Sequence, residues 1–286
     1  MEVKYLIENR TVVLELEGEV VTGSDSVLLL EDKNLLDGTP WNEQGYTIQS
    51  FLTDEQFLKV KEGMTNKIRD LIVRVGGRAG DDFTLEQYHN YVNDEQHLKI
   101  ARLIQHGWNV SEFPVDFSLV NERISAILGK TVNAEAKHLN VADFNTGLSP
   151  VEYSVMCIFN LRIVRPGKMQ DNNPPHRDVW MDRLRNAVNI YVPLCGSAEN
   201  SALPVVPGSH FFNESEIERT ARGALLNGIK YSVPCVTTVR GKMPALVRPN
   251  PKENEVMVFS PYLIHGGAYN FATEKTRMSL EVRFWQ

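Results

Sequence analysis

The feature that most constrains the fold is a change of texture near residue 138. Downstream of it, the runs YSVMCIFNLRIV, AVNIYVPL, VMVFS and RMSLEVRFW are rich in β-branched and aromatic residues and are separated by Pro, Gly and Asn clusters. Runs of this length and spacing read as strands, and the series predicts a closed or double-layered antiparallel sheet. Upstream the period is helical. Thr53-Asp54-Glu55-Gln56 has the form of a capping box, and Phe57, Val60, Met64, Ile68 and Leu71 follow at helical spacing until Gly76-Gly77. Two further helices are expected, one from about Leu85 to Ile104 ending at Gly107 and one from Pro114 to Leu128 ending at Gly129. Before them, Val3, Tyr5, Ile7 and Val12, Leu14, Leu16 alternate around Glu8-Asn9-Arg10, which predicts a strand pair.

No Gly/Ser-rich linker, fixed-period repeat or low-complexity tract divides these regions, and 286 residues with 42% hydrophobic content can bury one large core. The expectation is a single domain over 1–286: a strand extension over 1–44, a helix-rich support over 45–137 and a β-core over 138–286. A formal charge of −6 gives no global reason to expect nucleic acid or an acidic membrane as partner. The N-terminus lacks the pattern of a secretory signal and no segment approaches 18 uncharged apolar residues, so a cytoplasmic protein is expected. Cys157, Cys195 and Cys235 are an odd, sparse set without CxxC spacing, which reads as reduced core thiols rather than a disulfide framework or zinc ribbon.

Among the seven histidines, His176 and His265 stand apart. His176-Arg177-Asp178 is an H-x-D triplet following the loop KMQDNNPP; on an extended backbone residues i and i+2 face the same way, so both can point at one ion. His265 ends the strand-like run EVMVFSPYLI and precedes Gly266-Gly267, where the backbone could leave room for a ligand. Two imidazoles and one carboxylate form a facial set that leaves coordination positions open, the pattern of non-haem Fe(II) oxygenases, whereas a structural zinc site needs four protein ligands. An H-x-D triplet alone arises by chance in many chains. The distal arrangement adds weight: Arg277, twelve residues past His265, shares a strand face with Ser279, and a guanidinium fork plus a hydroxyl suits a dicarboxylate tail. The bland alternative is a surface arginine on an edge strand.

These motifs in this order resemble the phytanoyl-CoA dioxygenase-like (PhyH-like) family of Fe(II)/2-oxoglutarate-dependent oxygenases. The resemblance rests on GYTIQSFLTDEQFLKV, on HRD, on VNIYVPLCGSAENSALPVVPGSHF with its Pro207-Gly208-Ser209-His210 turn, and on HGGAYNFATEKTRMSLEVRF, and it spans roughly residues 45 to 283. It implies a mainly β fold with supporting helices (α+β), a double-stranded β-helix or jelly roll of the cupin kind. It implies Fe(2+) held by His176, Asp178 and His265, with 2-oxoglutarate and O₂ as cosubstrates, Arg277 and Ser279 on the distal carboxylate, and Asn189 as a further polar contact. Related halogenases replace the carboxylate ligand with a small residue, so Asp178 points to hydroxylation, desaturation or ring closure.

For the substrate, the resemblance suggests Arg162, Asn160 lies on the same strand face, and Trp180 could wall the pocket, although packing explains an aromatic there equally well. Arg177, Arg183 and Arg185 would favour an anionic or polar small molecule if they point inward; a solvated loop is the plainer reading. His210 reads as structural, and His89, His97, His106 and His138 lack metal-like spacing. Residues 168 to 175 and 211 to 230 are candidate lids. Two other readings compete: a catalytically inactive jelly-roll binding module, disfavoured by the intact ligand set, and a cupin-like metal isomerase or hydrolase, which has no use for Arg277. No G-x-S-x-G elbow, P-loop or G-x-G-x-x-G occurs.

Overall fold

The computed structural model describes residues 1–23, 34–134, 137–141, 151–155, 157–181 and 184–286, with the backbone alone for 137–141 and 151–155. The chain begins with the expected strand pair, β1 (Glu2–Ile7) and β2 (Arg10–Glu17), turning at Glu8-Asn9, and continues into β3 (Val20–Thr22) and β4 (Tyr46–Ser50). Helix α1 (Asp54–Arg74) starts at the capping box: Thr53 Oγ1 accepts from the Gln56 N–H and Gln56 Oε1 accepts from the Thr53 N–H. Its apolar stripe is fully buried as the spacing requires.

The second helical stretch differs from expectation. Instead of one helix over Leu85–Ile104, a 3₁₀ turn (Leu85–Gln87) and a short α2 (Tyr88–Tyr91) precede α3 (Asp94–Ile104). Val92 is extended, and Asn93 starts α3 with its own capping box, in which Asn93 Oδ1 accepts from Gln96 N–H and Gln96 reciprocates. A cap satisfies otherwise orphaned N–H groups, and here that local gain breaks a continuous apolar period into two axes. After β5 (Trp108–Asn109), helix α4 (Phe117–Leu128) ends where Gly129 takes φ 64°, the left-handed cap a glycine adopts without strain.

The remaining strands are β6 (Lys137–Val141), β7 (Val151–Val155), β8 (Ile158–Val164), β9 (Ala187–Cys195), β10 (Ile217–Thr220), β11 (Ala224–Leu226), β12 (Ile229–Tyr231), β13 (Val236–Val239), β14 (Ala245–Leu246), β15 (Glu255–Phe259) and β16 (Arg277–Trp285). Among the described residues the largest sheet has the order β4-β15-β9-β16-β8-β5, all antiparallel. Alternation sorts its side chains. Phe159, Leu161, Ile163, Val188, Ile190, Val192, Met278, Leu280, Val282 and Phe284 join the apolar cluster formed with the helices, so the helices cover one face. Each such side chain contributes roughly 1.5–3 kcal/mol on burial. All nine residues of β9 are buried, because this central strand is covered on both faces.

The opposite layer is fragmentary. Isolated bridges join His176 to His265, His265 to Val205 and Val205 to Val247, and Val236 N–H reaches the Pro175 carbonyl. Two regular pieces flank this irregular centre: β13-β10-β3 and β12-β11-β2-β1-β14. The architecture is a β-rich, jelly-roll-like fold with helices on one side. The N-terminal pair, expected as an extension before the main body, is part of it: β1 pairs parallel to β14 and β2 pairs with β11, so residues more than 200 positions apart share one sheet. The Tyr5 ring packs against Gly267, directly behind the His265 segment.

Candidate metal centre

His176 and His265 are held by the main chain. Each donates its backbone N–H to the other's carbonyl, at 2.8 and 3.0 Å, and Asp178 N–H bonds to the Pro261 carbonyl at 3.0 Å. Arg177 between them is extended, so His176 and Asp178 do face one way as i, i+2 spacing predicts. His176 Nδ1 lies 2.7 Å from the Pro174 carbonyl and His265 Nδ1 2.9 Å from the Leu263 carbonyl. A carbonyl only accepts, so both Nδ1 atoms carry a proton, and Nε2 is the nitrogen each ring turns toward the centre. These Nε2 atoms converge on Asp178 Oδ1, at 3.2 Å from His176 and 3.6 Å from His265. The three ligand-capable atoms lie within 4.8 Å of one another, and all three residues are buried. Two imidazoles whose Nδ1–H groups are spent on backbone carbonyls, leaving Nε2 to face the centre, and one carboxylate oxygen form a donor set that suits a divalent transition ion with positions left open.

The electrostatics favour that set. Burial pushes the His265 imidazole down to about 4, and the neighbouring His176 adds to this, which favours the neutral form a metal ligand needs. Burial alone would push Asp178 up, but Arg283 first, and then the adjoining His176 and His265, hold its carboxyl well below the usual carboxylate range. The far oxygen, Oδ2, accepts from Asn189 Nδ2 at 3.0 Å and from Arg283 Nη2 at 3.2 Å. Asn189, expected as a cosubstrate contact, gives one of its two amide N–H donors to Asp178.

Strand β16 lays Arg277, Ser279, Glu281 and Arg283 along the face opposite the helix-covered one. Arg277 is not a surface arginine: it is 2% exposed, donates to Ser279 Oγ at 2.9 Å and stands over the Tyr191 ring at 5.7 Å. Its Nε has no partner, and among the described residues no carboxylate comes within ion-pair distance of it. A buried, unneutralised guanidinium is costly, and a ligand carboxylate would relieve that cost. Glu281 and Arg283 were not singled out in the sequence; their alternation with Arg277 and Ser279 was the signal that could have found them.

Other expectations divide. Arg162 is 41% exposed on its side chain and pairs with Glu281 at 3.2 Å; Asn160 stands opposite Glu281 in the β8–β16 register. Trp180 is drawn into packing: its indole N–H donates to Glu214 Oε2 at 2.9 Å and Arg219 covers its ring. The solvated-loop reading of Arg177 and Arg185 is overturned, since both are fully buried. Arg177 points away from its neighbours His176 and Asp178 and pairs with Glu214 at 2.6 Å, as alternation along an extended segment requires. Arg183 lies outside the described residues, as does the side chain of His138. His210 is structural, with Nε2–H donating to the Asn42 carbonyl at 2.6 Å, and His97 is tied to Asp171 and Tyr88.

The space at Gly266-Gly267 is taken by the chain itself: a Cβ on Gly266 would stand 2.5 Å from the Pro174 carbonyl and 3.0 Å from His176 Nδ1. Of the candidate lids, residues 168 to 175 are pinned, because Arg165 grips both oxygens of Asp171 at 2.8 and 2.9 Å. Residues 211 to 230 carry β10 and β11, paired to β3 and β2. A cleft of about 220 Å³, between the N-terminal strands and residues 169–174, is lined by none of His176, Asp178 and His265; the Pro174 carbonyl of its wall accepts from His176 Nδ1.

No protein-family model matches the chain, and no curated protein sequence matches it, so the phytanoyl-CoA dioxygenase-like resemblance stays one of motifs. Distant likenesses to solved structures are found. AviO1 from Streptomyces viridochromogenes Tue57 is 15% identical with a TM-score of 0.48, covering 86% of this chain and 91% of that one. EvdMO1 is 18% identical with a TM-score of 0.44; the chain spans 48% of its length. SnoN, described as an epimerase and solved in complex with Fe3+, alpha ketoglutarate and nogalamycin RO, is 15% identical with a TM-score of 0.44, covering 86% of this chain and 80% of that one. Likeness at this level says nothing of a shared substrate or reaction.

Proposed function

We propose that this chain is an Fe(II)/2-oxoglutarate-dependent oxygenase that hydroxylates a polar small molecule. The observation that carries the reading is the convergence of His176 Nε2, His265 Nε2 and Asp178 Oδ1 at one buried point, with both imidazole tautomers set by backbone carbonyls. His176, Asp178 and His265 would hold the iron. Bound there with 2-oxoglutarate, iron supplies O₂ activation coupled to oxidative decarboxylation, giving succinate and CO₂.

The chain's own residues then do three things. The backbone bridge and the Nδ1 hydrogen bonds orient the ligands without help from solvent. Arg277, with Ser279 Oγ steering its guanidinium, offers charge-assisted hydrogen bonds to the distal carboxylate of the cosubstrate and gains there the counter-charge it otherwise lacks. The apolar cluster of Tyr191, Leu203, Val205, Met257, Phe259, Leu263 and Ala268, with Phe259 edge-on to the His265 ring, limits water at the centre. Asn160 and Arg162, half-buried on the same sheet, are proposed to read polar groups of the substrate. The chain is read as one domain, and among the described residues no helix is long and apolar enough to cross a membrane.

The test is anaerobic titration of the purified apoprotein with Fe(II) and 2-oxoglutarate, following the visible charge-transfer band. A band in the wild type, absent in His176→Ala and requiring more 2-oxoglutarate in Arg277→Ala, is the expected result. Folded wild-type protein that develops no band would return the chain to the class of binding modules.

A further inference from the structure

Arg283 and Glu281 stand where the packing pattern of β16 allows apolar side chains, yet both are charged, and each has at least one ionic partner on a different strand or loop. Arg283 Nη2 lies 3.2 Å from Asp178 Oδ2 and 3.8 Å from Glu281 Oε2; Glu281 Oε2 lies 3.2 Å from Arg162 Nε. The result is a row of alternating charge, Asp178, Arg283, Glu281 and Arg162, running from the fully buried metal ligand to a side chain in contact with solvent. Withdrawing three of these charges, Asp178, Arg283 and Glu281, from most of their water is expensive, and an apolar replacement of such a group is often neutral or stabilising, so stability alone does not explain the row.

We propose that Arg283 is the positioning residue of the metal carboxylate, acting with Asn189 to occupy Oδ2 of Asp178 so that Oδ1 alone is presented beside the two imidazoles. Register makes this possible: Arg283 and Asn189 are direct partners across β16–β9, so both side chains leave the sheet at the same place and reach the same oxygen. A carboxylate with one oxygen engaged by two donors binds an ion through the other, which leaves more of the coordination sphere open than a bidentate carboxylate would. Glu281 anchors Arg283 from behind, and its pairing with both Arg162 and Arg283 keeps this second carboxylate from competing for the ion. In this role Arg283 acts through Asp178 rather than on the reacting atoms. The inference rests on the reading of His176, Asp178 and His265 as metal ligands.

The experiment uses Co(II) as the probe, added anaerobically to wild type, Arg283→Gln, Arg283→Lys and Asn189→Ala, with affinity read by calorimetry and coordination by the visible d–d spectrum. Arg283→Gln is expected to bind Co(II) about 10- to 100-fold more weakly, the range for loss of a residue that orients a ligand, with a weaker d–d band as Oδ2 joins the ion. Arg283→Lys should fall between Gln and wild type in both readouts. Asn189→Ala, which keeps the ion pair and removes the other Oδ2 donor, should shift the same way by less, and it carries the test if Arg283→Gln does not fold. Wild-type affinity and spectrum in the folded Arg283 or Asn189 variants would overturn this role while leaving the metal site intact. Wild type that binds no Co(II) or Fe(II) would overturn the site itself and this role with it.

Discussion

His176 and His265 are antiparallel partners: the N–H of each meets the carbonyl of the other, although 89 positions separate them by number. The spacing of these two candidate ligands is therefore set by main-chain hydrogen bonding, which side-chain substitution leaves in place.

His265→Ala is accordingly expected to abolish tight metal binding while keeping the fold. Its cost, chiefly the Leu263 carbonyl left without its imidazole donor, is about 1–3 kcal/mol. Calorimetric titration with Fe(II) or Co(II) beside urea denaturation separates the two effects; undiminished metal affinity would remove His265 from the ligand set.

Gly266→Ala acts from outside the ligand set. Gly266 takes φ 106°, and the added methyl would meet the Pro174 carbonyl that accepts from His176 Nδ1. A loss of at least about 1–3 kcal/mol in stability is expected, together with weaker metal binding as His176 loses its orientation. Thermal unfolding and metal titration that both match wild type would show that the loop yields freely.

Acid should destabilise the metal-free protein. In the folded state His265 titrates at about 4, lowered first by burial and then by His176, against roughly 6.5 for an unfolded histidine. Between these values the unfolded chain binds a proton that the folded chain does not, so stability falls as pH drops from about 6.5 toward 4, by on the order of 3 kcal/mol. Urea midpoints measured between pH 7 and 4.5 check this. A flat profile, or an equal fall in His265→Ala, would assign the effect elsewhere.

Arg177→Met is expected to cost about 3–5 kcal/mol, because it leaves Glu214 buried without its closest counter-charge; Arg219 is 3.6 Å away. Arg177→Met combined with Glu214→Gln should recover part of that loss. Chemical denaturation of the single and double variants gives the comparison, and a single variant as stable as wild type would show that the pair is worth little.

What the sequence by itself determined is local. Thr53 and Gln56 start α1 because a capping box needs only four residues. Gly129 ends α4 because a left-handed cap needs only one. Asn93 and Gln96 carried a second capping box that the longer apolar period concealed. His176 and Asp178 were legible as a pair through i, i+2 alternation, and Arg277 and Ser279 through the same rule.

The tertiary structure decided everything that depends on which distant segment lies alongside. It brought His265 onto His176, drew the N-terminal strands into a sheet with Ala245 and Leu246, turned Arg177 into the core against Glu214, and laid Arg283 on the far oxygen of Asp178. The bridge of His265 to His176 has no sequence period, because the layer there is made of single bridges rather than regular strands. Charge on an inward-facing position reads the same as charge facing water until the opposing layer is in place.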